Sequence, residues 1–330
     1  MTSSPTPPAG TPVPSGTSGR LAIARPSGLS NEAKARTFLE ALPYFRAYNR
    51  RIVVIKFGGS TMDSAELVQR ILTDVVFIRQ VGCWPILVHG GGPRISEAIK
   101  KFGIEPVFVA GRRVTDAKTL EVAHKVLIDE ISAEMVDGLE LAGGKGIPLN
   151  GRGSRFLHAK KLRLPDQPDV DLGFVGEVTE IDSELPNRLC GGGIIPVVAP
   201  IARGEDGQLY NVNADTVAWH IAASCHAEKL IFLSNVEGIM KDLAKPETLY
   251  STLTIRQVGD LMKKEIVKGG MIPKVEACLS ALRGGVRKAH IINGATPHSL
   301  ILELFTDQGI GTEIVPNAAA AKQELPDVLH

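Results

Sequence analysis

Two glycine-rich loops are the first features of the chain that could perform chemistry. They are Lys56-Phe57-Gly58-Gly59-Ser60 and His89-Gly90-Gly91-Gly92-Pro93, and each follows a short apolar run and precedes a helical pattern. Backbone N–H groups in such loops, at the carboxyl ends of parallel strands, attract anions such as phosphate. Neither loop fits G-x-x-x-x-G-K-[ST] or G-x-G-x-x-G, so a P-loop NTPase and a dinucleotide-dependent dehydrogenase are both disfavoured.

A second set of candidate residues lies in the C-terminal half of the chain. Asn211-Val212-Asn213-Ala214-Asp215 leads into one helical pattern, and Lys268-Gly269-Gly270-Met271-Ile272-Pro273-Lys274 leads into another. Lys274 falls just inside a helix start, where the helix dipole disfavours a cation unless it pairs with an anion. We therefore interpret Lys274 as a functional residue, with a solvated surface lysine as the alternative.

Short apolar runs without alternation predict the buried strands of a mainly parallel sheet that would carry these loops. The runs are residues 52–55, 86–88, 194–198, 230–233 and 290–292. Helical patterns separate them, at about 63–81, 93–102, 116–142, 214–226, 254–264, 271–284 and 297–305. Residues 146–181 alternate over short stretches broken by Gly and Pro, a pattern that predicts hairpins. The expected fold class is α/β.

Composition excludes several classes of function. The 330 residues include 37 Lys and Arg against 36 Asp and Glu, and a net charge of +1 disfavours general binding to nucleic acid or an anionic membrane. No apolar run reaches the roughly 18–20 residues that a membrane helix needs. The four cysteines are widely spaced and form no C-x-x-C pair, so we expect reduced thiols in a cytoplasmic protein.

The N-terminal region has two parts. Residues 1–31 contain no Asp or Glu and are rich in Pro, Ser, Thr and Gly, which predicts a disordered leader; a transit peptide is the alternative. Residues 32–47 predict an amphipathic helix. Its apolar face carries Phe38, Leu39, Leu42 and Phe45. A short terminal helix needs a partner surface, either on its own domain or on another subunit.

Taken together, these motifs resemble the amino acid kinase family. With Gly111-Arg112-Arg113-Val114-Thr115 they follow the family's order over about residues 35–315, and they are most similar to members that phosphorylate N-acetyl-L-glutamate. The resemblance implies a three-layer αβα sandwich around a mainly parallel open sheet. It also implies an acyl-amino-acid-binding lobe at 48–203 and a nucleotide-binding lobe at 204–330.

The activity implied is transfer of the γ-phosphoryl group of ATP to the side-chain carboxylate of N-acetyl-L-glutamate. That carboxylate is already ionised at pH 7, so the reaction requires no general base. By resemblance, Lys56 and Lys274 stabilise the transferring phosphoryl group while Asp215 holds both ammonium groups. Mg²⁺ is expected on the nucleotide phosphates, and no residue is assigned as a metal ligand.

The binding residues also follow from the resemblance. Arg113 would bind the α-carboxylate as a bidentate fork, Asn211 would hold the acetamido end, and Gly91 and Gly92 would face the substrate. The expected nucleotide-binding residues are Gly58, Gly59, Asn235, Gly238, Lys268 and Gly270. The stretch Ser234-Asn235-Val236-Glu237-Gly238 departs from the Thr/Ser-Asp-Val-x-Gly of relatives and lacks its carboxylate.

Regulation is implied by two further stretches. Ala41-Leu42-Pro43-Tyr44 resembles the extra N-terminal helix that interlaces dimers into a hexamer, a trimer of dimers, in the arginine-inhibited members. Their arginine site would use Glu303 for the guanidinium, with Tyr44 as a lid and His298 and Gly309 as walls. The resemblance therefore implies a homohexamer with L-arginine as its effector.

Two alternatives stay open. A kinase acting on carrier-protein-linked 2-aminoadipate shares almost every motif and would favour a basic docking surface. Basic residues of the predicted hairpins are Arg152, Arg155, Lys160, Lys161 and Arg163. The other alternative is an arginine sensor without kinase activity. The set Lys56, Asp215 and Lys274 argues against a sensor, because a binding module needs no phosphoryl-facing lysines.

Overall fold

The computed structural model describes residues 28, 30–62, 64–242, 245–307 and 309–317. The predicted disordered leader, residues 1–31, thus lies almost entirely outside the described residues. The chain divides into two compact units, one ending at Glu40 and one beginning at Ala41. No helix among the described residues is long and apolar enough to cross a membrane.

Helix α1 (Asn31–Tyr48) begins in the first unit, close to the predicted start at residue 32. The side chain of Ser30 caps it by accepting a hydrogen bond from the N–H of Ala33 at 3.1 Å. Phe38 and Leu39 are 64% and 68% exposed, and no residue of α1 is buried. The helix exists as predicted, and the part of its apolar face that carries Phe38 and Leu39 is exposed.

The last turns of α1 belong to the second unit and pack on it through aromatic rings. Phe45 contacts Phe77 and Phe305 edge to face, with ring centroids 6.2 and 5.2 Å apart. Tyr48 meets the same Phe305 ring at 6.1 Å. Edge-to-face pairs add to the apolar burial, so this end of α1 is held firmly.

An eight-stranded sheet forms the centre of the second unit. In spatial order its strands are β12 (Thr252–Thr254), β14 (Thr312–Val315), β13 (Lys288–Asn293), β11 (Lys229–Ser234), β1 (Ile52–Phe57), β2 (Trp84–His89), β8 (Ile195–Val198) and β5 (Gly146–Leu149). All neighbours pair parallel except β13 and β14. The five predicted strands are confirmed, because their continuous apolar runs are buried on both faces.

Helices cover both faces of this sheet, which confirms the three-layer α/β fold. They are α2 (Ala65–Gln80), α3 (Gly92–Lys100), α4 (Ala117–His124), α5 (Ala133–Leu141), α6 (Glu184–Gly191), α7 (Ala214–Ser224), α8 (Ile255–Lys263), α9 (Met271–Arg283) and α10 (Ser299–Phe305). A π-helical segment, Lys125–Ser132, joins α4 to α5. Alternate residues of β1 enter opposite cores: Val54 packs with α7 and α9, and Val53 packs with α2 and α10.

The prediction of hairpins for residues 146–181 is wrong for its first strand. That strand, β5, lies parallel to β8 at the edge of the main sheet, where only one side has a partner strand and Ile147 stays 37% exposed. Gly146 and Pro148, which suggested a turn-rich hairpin, lie in this edge strand, the position in a sheet that tolerates proline. The hairpin itself consists of β6 (Leu157–Lys161) and β7 (Gly176–Ile181), which join β9 (Ile201–Arg203) and β10 (Leu209–Asn211) in a second sheet.

The register of the central strands brings the two glycine loops side by side. Lys56, near the end of β1, lies level with Val88 on β2 and Phe232 on β11. A small antiparallel hairpin of β3 (Phe108–Val109) and β4 (Arg112–Arg113) stands after α3. The carboxyl ends of parallel strands are where α/β sheets bind ligands.

Candidate active site

Lys56, Asp215 and Lys274 meet beyond the carboxyl end of β1. Lys56 Nζ lies 2.8 Å from Asp215 Oδ1, and Lys274 Nζ lies 3.3 Å from Asp215 Oδ2. The side chains of Lys56 and Asp215 are 8% and 9% exposed, and that of Lys274 is 21% exposed. The sequence indicated that Lys274, in the first turns of α9, requires an anion, and Asp215 is that anion.

Asp215 is positioned by the cap of its own helix. Asn213 precedes α7, and its Oδ1 accepts hydrogen bonds from the N–H groups of Asp215 at 2.8 Å and Thr216 at 3.1 Å. Asp215 thus sits in the first turn, where the helix dipole favours a carboxylate. Sequence reasoning quoted Asn213 but missed this role, although an Asn just before a helical pattern is a recognised cap signal.

The charges of this cluster depend on one another. Burial lowers the pKa of Lys56, and the nearby Lys274 lowers it further, while Asp215 opposes both. Burial pushes the pKa of Asp215 upward, but the two ammonium groups outweigh it and hold the pKa below its usual value. Asp215 therefore stays ionised at neutral pH and serves as a fixed anion rather than as a proton acceptor.

A cavity of about 280 Å³ opens beside this cluster. The predicted site residues that line it are Lys56, Gly91, Gly92, Arg113, Asn211 and Asp215. Phe108 and Val175 add apolar wall from the β3–β4 hairpin and from the segment before β7. The structure therefore brings the predicted substrate-binding residues and two of the predicted catalytic residues to one cavity.

Arg113 has a free donor in this cavity. Its Nη2 donates hydrogen bonds to the carbonyl of Gly92 at 2.8 Å and to Ser96 Oγ at 2.7 Å. Phe108 covers the guanidinium, with its ring centroid 4.7 Å from Cζ. Nη1 is buried and has no hydrogen-bond partner among the described residues. Burial also lowers the pKa of Arg113, so a bound carboxylate would restore solvation that this cation has lost.

Ser96 and Phe108 were missed by sequence reasoning. Both touch Arg113 only because the β3–β4 hairpin folds back over α3. Neither residue belongs to a motif, so no signal in the sequence could have identified them.

One glycine in each loop, Gly58 in the first and Gly91 in the second, packs too closely for a side chain, whereas a Cβ on Gly92 would meet no atom within 4 Å. A Cβ on Gly58 would lie 2.5 Å from Lys56 Nζ and would displace the ammonium group from its place. A Cβ on Gly91 would lie 2.6 Å from Cδ2 of Leu127 on the π-helical segment. Glycine at these two positions thus lets the backbone approach the reacting groups.

The residues predicted to bind nucleotide lie around the same edge of the sheet. Gly59 begins a short 3₁₀ helix after β1, and Asn235 is exposed just after β11. Lys268 and Gly270 are exposed in the turn before α9. Gly238 is buried, and a Cβ there would lie 2.5 Å from the hydroxyl of the first residue of β14. None of the six residues predicted to bind nucleotide belongs to the described residues that line the cavity.

The described part of the chain offers no cluster of three or more His, Cys, Asp or Glu side chains that could hold a metal ion. The carboxylate of the cavity, Asp215, already contacts two ammonium groups. A magnesium ion would fit this site only on the phosphates of a nucleotide, with water as its other ligands.

Two of the residues predicted for an arginine site lie near the junction of α1 and α10. The hydroxyl of Tyr44 donates a hydrogen bond to Asp307, and burial together with this bond raises the pKa of Tyr44 to about 12. Nδ1 of His298 lies 2.8 Å from Oδ1 of Asp74, whose pKa is raised by burial.

The other two, Glu303 and Gly309, touch each other. Glu303 is buried, and its oxygens accept hydrogen bonds from His290 Nδ1 at 2.5 Å and from the N–H of Ile310 at 2.9 Å. Burial pushes the pKa of Glu303 upward, but the bond from His290 contributes to holding it below its usual value. A Cβ on Gly309 would lie 2.8 Å from Glu303 Oε2. The arginine site stays a prediction.

Comparison with known proteins identifies the family of this arrangement. The amino acid kinase family matches residues 51–293. Acetylglutamate kinase from Symbiobacterium thermophilum is 46% identical over 86% of this chain and 97% of its own length. Acetylglutamate kinase from Methanothrix thermoacetophila is 47% identical over 85% of this chain and 98% of its own.

Solved structures share the fold. N-acetylglutamate synthase from Neisseria gonorrhoeae, complexed with coenzyme A and N-acetyl-glutamate, has a TM-score of 0.75 at 26% identity over 86% of this chain. The chain spans 63% of the length of that synthase. The same synthase complexed with coenzyme A and L-arginine has a TM-score of 0.73 at 25% identity, covering 85% of this chain and 65% of that one. The chain belongs to the amino acid kinase family and, within it, to the acetylglutamate kinases.

Proposed function

We propose that the enzyme phosphorylates the side-chain carboxylate of N-acetyl-L-glutamate with ATP, as a step of arginine biosynthesis. An oxygen of that carboxylate attacks the γ-phosphorus while the bond from phosphorus to the β–γ bridging oxygen breaks. The products are N-acetyl-L-glutamyl 5-phosphate and ADP. The names of the relatives and the residues of the cavity support this assignment.

The reaction needs charge stabilisation rather than proton transfer. Two anions approach in line, and negative charge spreads over the transferring phosphoryl oxygens. Lys56 and Lys274 meet this need, because Asp215 holds both ammonium groups on one side of the cavity. In this proposal residues 48–203 hold the acyl amino acid and residues 204–330 hold the nucleotide, on whose phosphates Mg²⁺ is carried.

One observation carries the proposal: a carboxylate-binding group and the lysine–aspartate pair share a single cavity. Arg113 offers an unpartnered Nη1 donor to the α-carboxylate, and Asn211 lines the wall where the acetamido end would lie. The side-chain carboxylate then extends toward Lys56. The glycine amides of the second loop line the same cavity.

A coupled ADP assay tests the proposal. We expect ADP release with Mg-ATP and N-acetyl-L-glutamate, and at least tenfold lower kcat/KM with N-acetyl-L-aspartate or free L-glutamate. The shorter side chain of N-acetyl-L-aspartate would not reach Lys56, and free L-glutamate lacks the acetamido group that Asn211 would hold. Equal turnover of free L-glutamate, or no turnover of any free acidic substrate, would contradict it.

The carrier-linked substrate is the remaining alternative within the class. Two of the basic residues that would form its docking surface are paired: Lys160 Nζ lies 3.4 Å from Glu177, and Lys161 Nζ lies 2.8 Å from Asp171. These carboxylates offset the positive charge of the hairpin. Turnover of carrier-linked 2-aminoadipate without turnover of N-acetyl-L-glutamate would favour the alternative.

We also propose that the enzyme is a hexamer inhibited by L-arginine. The open apolar face of α1, with Phe38 and Leu39 exposed, supports contact with a second subunit. The proximity of Glu303 and Gly309 supports a site for a guanidinium ligand. Tyr44 and His298, each bound to a carboxylate, supply polar groups that such a ligand would rearrange.

Two variants separate oligomerisation from inhibition. Deleting residues 1–47 should give an active dimer by light scattering, with weakened arginine inhibition. Tyr44→Phe should remain hexameric and lose part of its arginine sensitivity, because only the hydroxyl contact with Asp307 is removed. A deletion that stays hexameric and equally arginine-sensitive would show that α1 serves neither role.

A further inference from the structure

His89, the last residue of β2, is fully buried directly behind the second glycine loop, and the proposed reaction does not use it. Its Nδ1 lies 3.0 Å from the carbonyl oxygen of Gly90, and its Nε2 lies 2.8 Å from Oγ of Ser132. Ser132 is the last residue of the π-helical segment and is also buried. A polar histidine in this place must have both ring nitrogens satisfied.

The partners determine where the ring proton lies. The carbonyl of Gly90 can only accept a hydrogen bond, so Nδ1 carries the proton and donates it. Burial, with help from Lys56 and Arg94, lowers the pKa of His89 to about 4, and the ring is therefore neutral at pH 7. Nε2 is then an acceptor. The hydroxyl of Ser132 lies 2.8 Å from Nε2 and 3.0 Å from the carbonyl oxygen of Leu127, and its proton goes to Nε2, because the opposite tautomer would leave Nδ1 and the Gly90 carbonyl as two acceptors facing each other.

The hydrogen bond from His89 Nδ1 to the Gly90 carbonyl also determines where the N–H of Gly91 points. The peptide between Gly90 and Gly91 is planar and trans, so its C=O and N–H point in opposite directions. Because the carbonyl points at the His89 ring, the N–H of Gly91 points away from it. Gly91 lines the cavity, and its N–H has no hydrogen-bond partner among the described residues.

The π-helical segment packs against the same loop. Leu127 and Ile131 are buried, and their methyl groups reach so close to Gly91 that a Cβ there would lie 2.6 and 2.8 Å from them. Ser132 belongs to the same segment, so one element both packs under the loop and fixes the His89 ring. π-helical turns are rare in proteins, and those that occur are often found at functional sites.

We infer that His89 and Ser132 are positioning residues that aim the N–H of Gly91 into the cavity, as a preformed donor for the phosphoryl group or the attacking carboxylate. The inference deepens the proposed function and rests on it for the identity of the acceptor. The N–H of Gly91 does not have to reorient during the reaction, because His89 holds its peptide in place before substrate arrives.

The tautomer is tested first, on the full-length wild-type protein without substrate. The ¹⁵N shifts of the histidine ring nitrogens, assigned by comparison with His89→Asn, report which nitrogen carries the proton. We expect a neutral ring protonated on Nδ1 at pH 7. A ring protonated on Nε2 alone would overturn the inference, since Nδ1 could not then donate to Gly90.

Kinetics test the consequence for catalysis. His89→Leu removes both ring nitrogens and should lower kcat roughly 10- to 100-fold, with KM for both substrates changed less than about threefold. His89→Asn should recover most of the loss, because the amide Nδ2 can replace Nδ1 as donor to Gly90. Equal kcat values for His89→Asn and His89→Leu would overturn the positioning role.

Ser132→Ala is expected to lower kcat about three- to tenfold, since the ring loses the hydroxyl that fixes it. Ser299→Ala is the matched control, because the hydroxyl of Ser299 is also buried but has no hydrogen-bond partner among the described residues. Equal effects of the two serine variants would contradict the inference.

The ring assignment needs no activity, so it separates this inference from the proposed function. If N-acetyl-L-glutamate is not the acceptor, the kinetic comparison is repeated with whichever acidic substrate the ADP assay identifies, and the same kcat pattern is expected. Should His89→Leu fail to fold, the wild-type tautomer and the kcat of His89→Asn, expected within about threefold of wild type, decide the question.

Discussion

The two glycine-containing turns that flank the reacting groups differ in how the protein encloses them. In the loop after β2, Gly91 touches buried side chains of the π-helical segment, and His89 and Arg113 fix the neighbouring carbonyls. In the turn before α9, a Cβ on Gly269 or Gly270 would meet no atom within 4 Å. Gly91 packs against buried side chains, whereas Gly269 and Gly270 are open to water.

Under the proposed function, the acceptor side of the site is shaped before any ligand arrives, whereas the turn before α9 has room for a ligand that supplies its missing contacts. Lys274 belongs to the open side, yet its ammonium group is tied to the enclosed side through Asp215. Asp215 therefore links the two regions.

Lys274→Ala breaks that link and should have the largest effect. We expect kcat to fall 10²- to 10³-fold, about 2.7–4 kcal/mol, with a much smaller change in KM for N-acetylglutamate, because the charge matters most when phosphoryl charge is redistributed. Steady-state ADP assays measure both constants. A variant that retains more than a tenth of wild-type kcat would contradict the role of Lys274.

The enclosed loop should also make the protein sensitive to acid. The pKa of His89 is lowered to about 4 by burial, whereas an unfolded histidine titrates near pH 6.5. Between these values the unfolded chain binds the additional proton, so His89 should reduce the free energy of unfolding by about 3 kcal/mol as pH falls from 7 to 4.

Urea denaturation across this pH interval checks the acid sensitivity. His89→Asn should lose about 3 kcal/mol less than wild type over the interval. Burial also lowers the pKa of His220 to about 4, but its contribution cancels because both proteins contain it. His226→Asn, at an exposed histidine, serves as the control and should follow wild type. Identical pH profiles for His89→Asn and wild type would contradict the prediction.

A pair of glycine substitutions compares the two turns directly. Gly91→Ala should lower the free energy of unfolding by about 1–3 kcal/mol, because the added methyl overlaps Leu127 and Ile131. Gly270→Ala should be neutral or stabilise the protein by up to about 1 kcal/mol, since φ −65° and ψ −8° suit alanine and the space is open. Urea midpoints measure both, and equal destabilisation would remove the contrast.

Arg113→Lys should affect catalysis less than Lys274→Ala. We expect KM for N-acetylglutamate to rise about tenfold with a smaller change in kcat, since lysine lacks the planar fork that bonds Gly92 and Ser96 while offering Nη1 to substrate. An unchanged KM would place the substrate clamp elsewhere. Arg188→Lys, at an exposed arginine of α6 that does not line the cavity, is the control.

Much of the fold was predictable because buried parallel strands leave a simple pattern. The runs around Ile52, Ile86, Ile231 and Ile291 are apolar on both faces, and each was found. The edge strand β5 was missed because its Gly146 and Pro148 suggested turns, whereas an edge strand tolerates proline. The helix predicted at 116–142 was found in place, but the chain gave no sign of its π-helical segment, whose register depends on packing under Gly91.

The three charged groups of the candidate site, Lys56, Asp215 and Lys274, were predicted from the resemblance to the amino acid kinase family and, for Lys274, also from its dipole-disfavoured position. How these groups are held became visible only in the folded structure. The free Nη1 of Arg113, the bond from His89 to Gly90 and the pairing of both lysines with Asp215 join residues far apart in the chain or depend on burial. Such contacts exist only once the layers pack, because packing removes the water that would otherwise bind these polar groups.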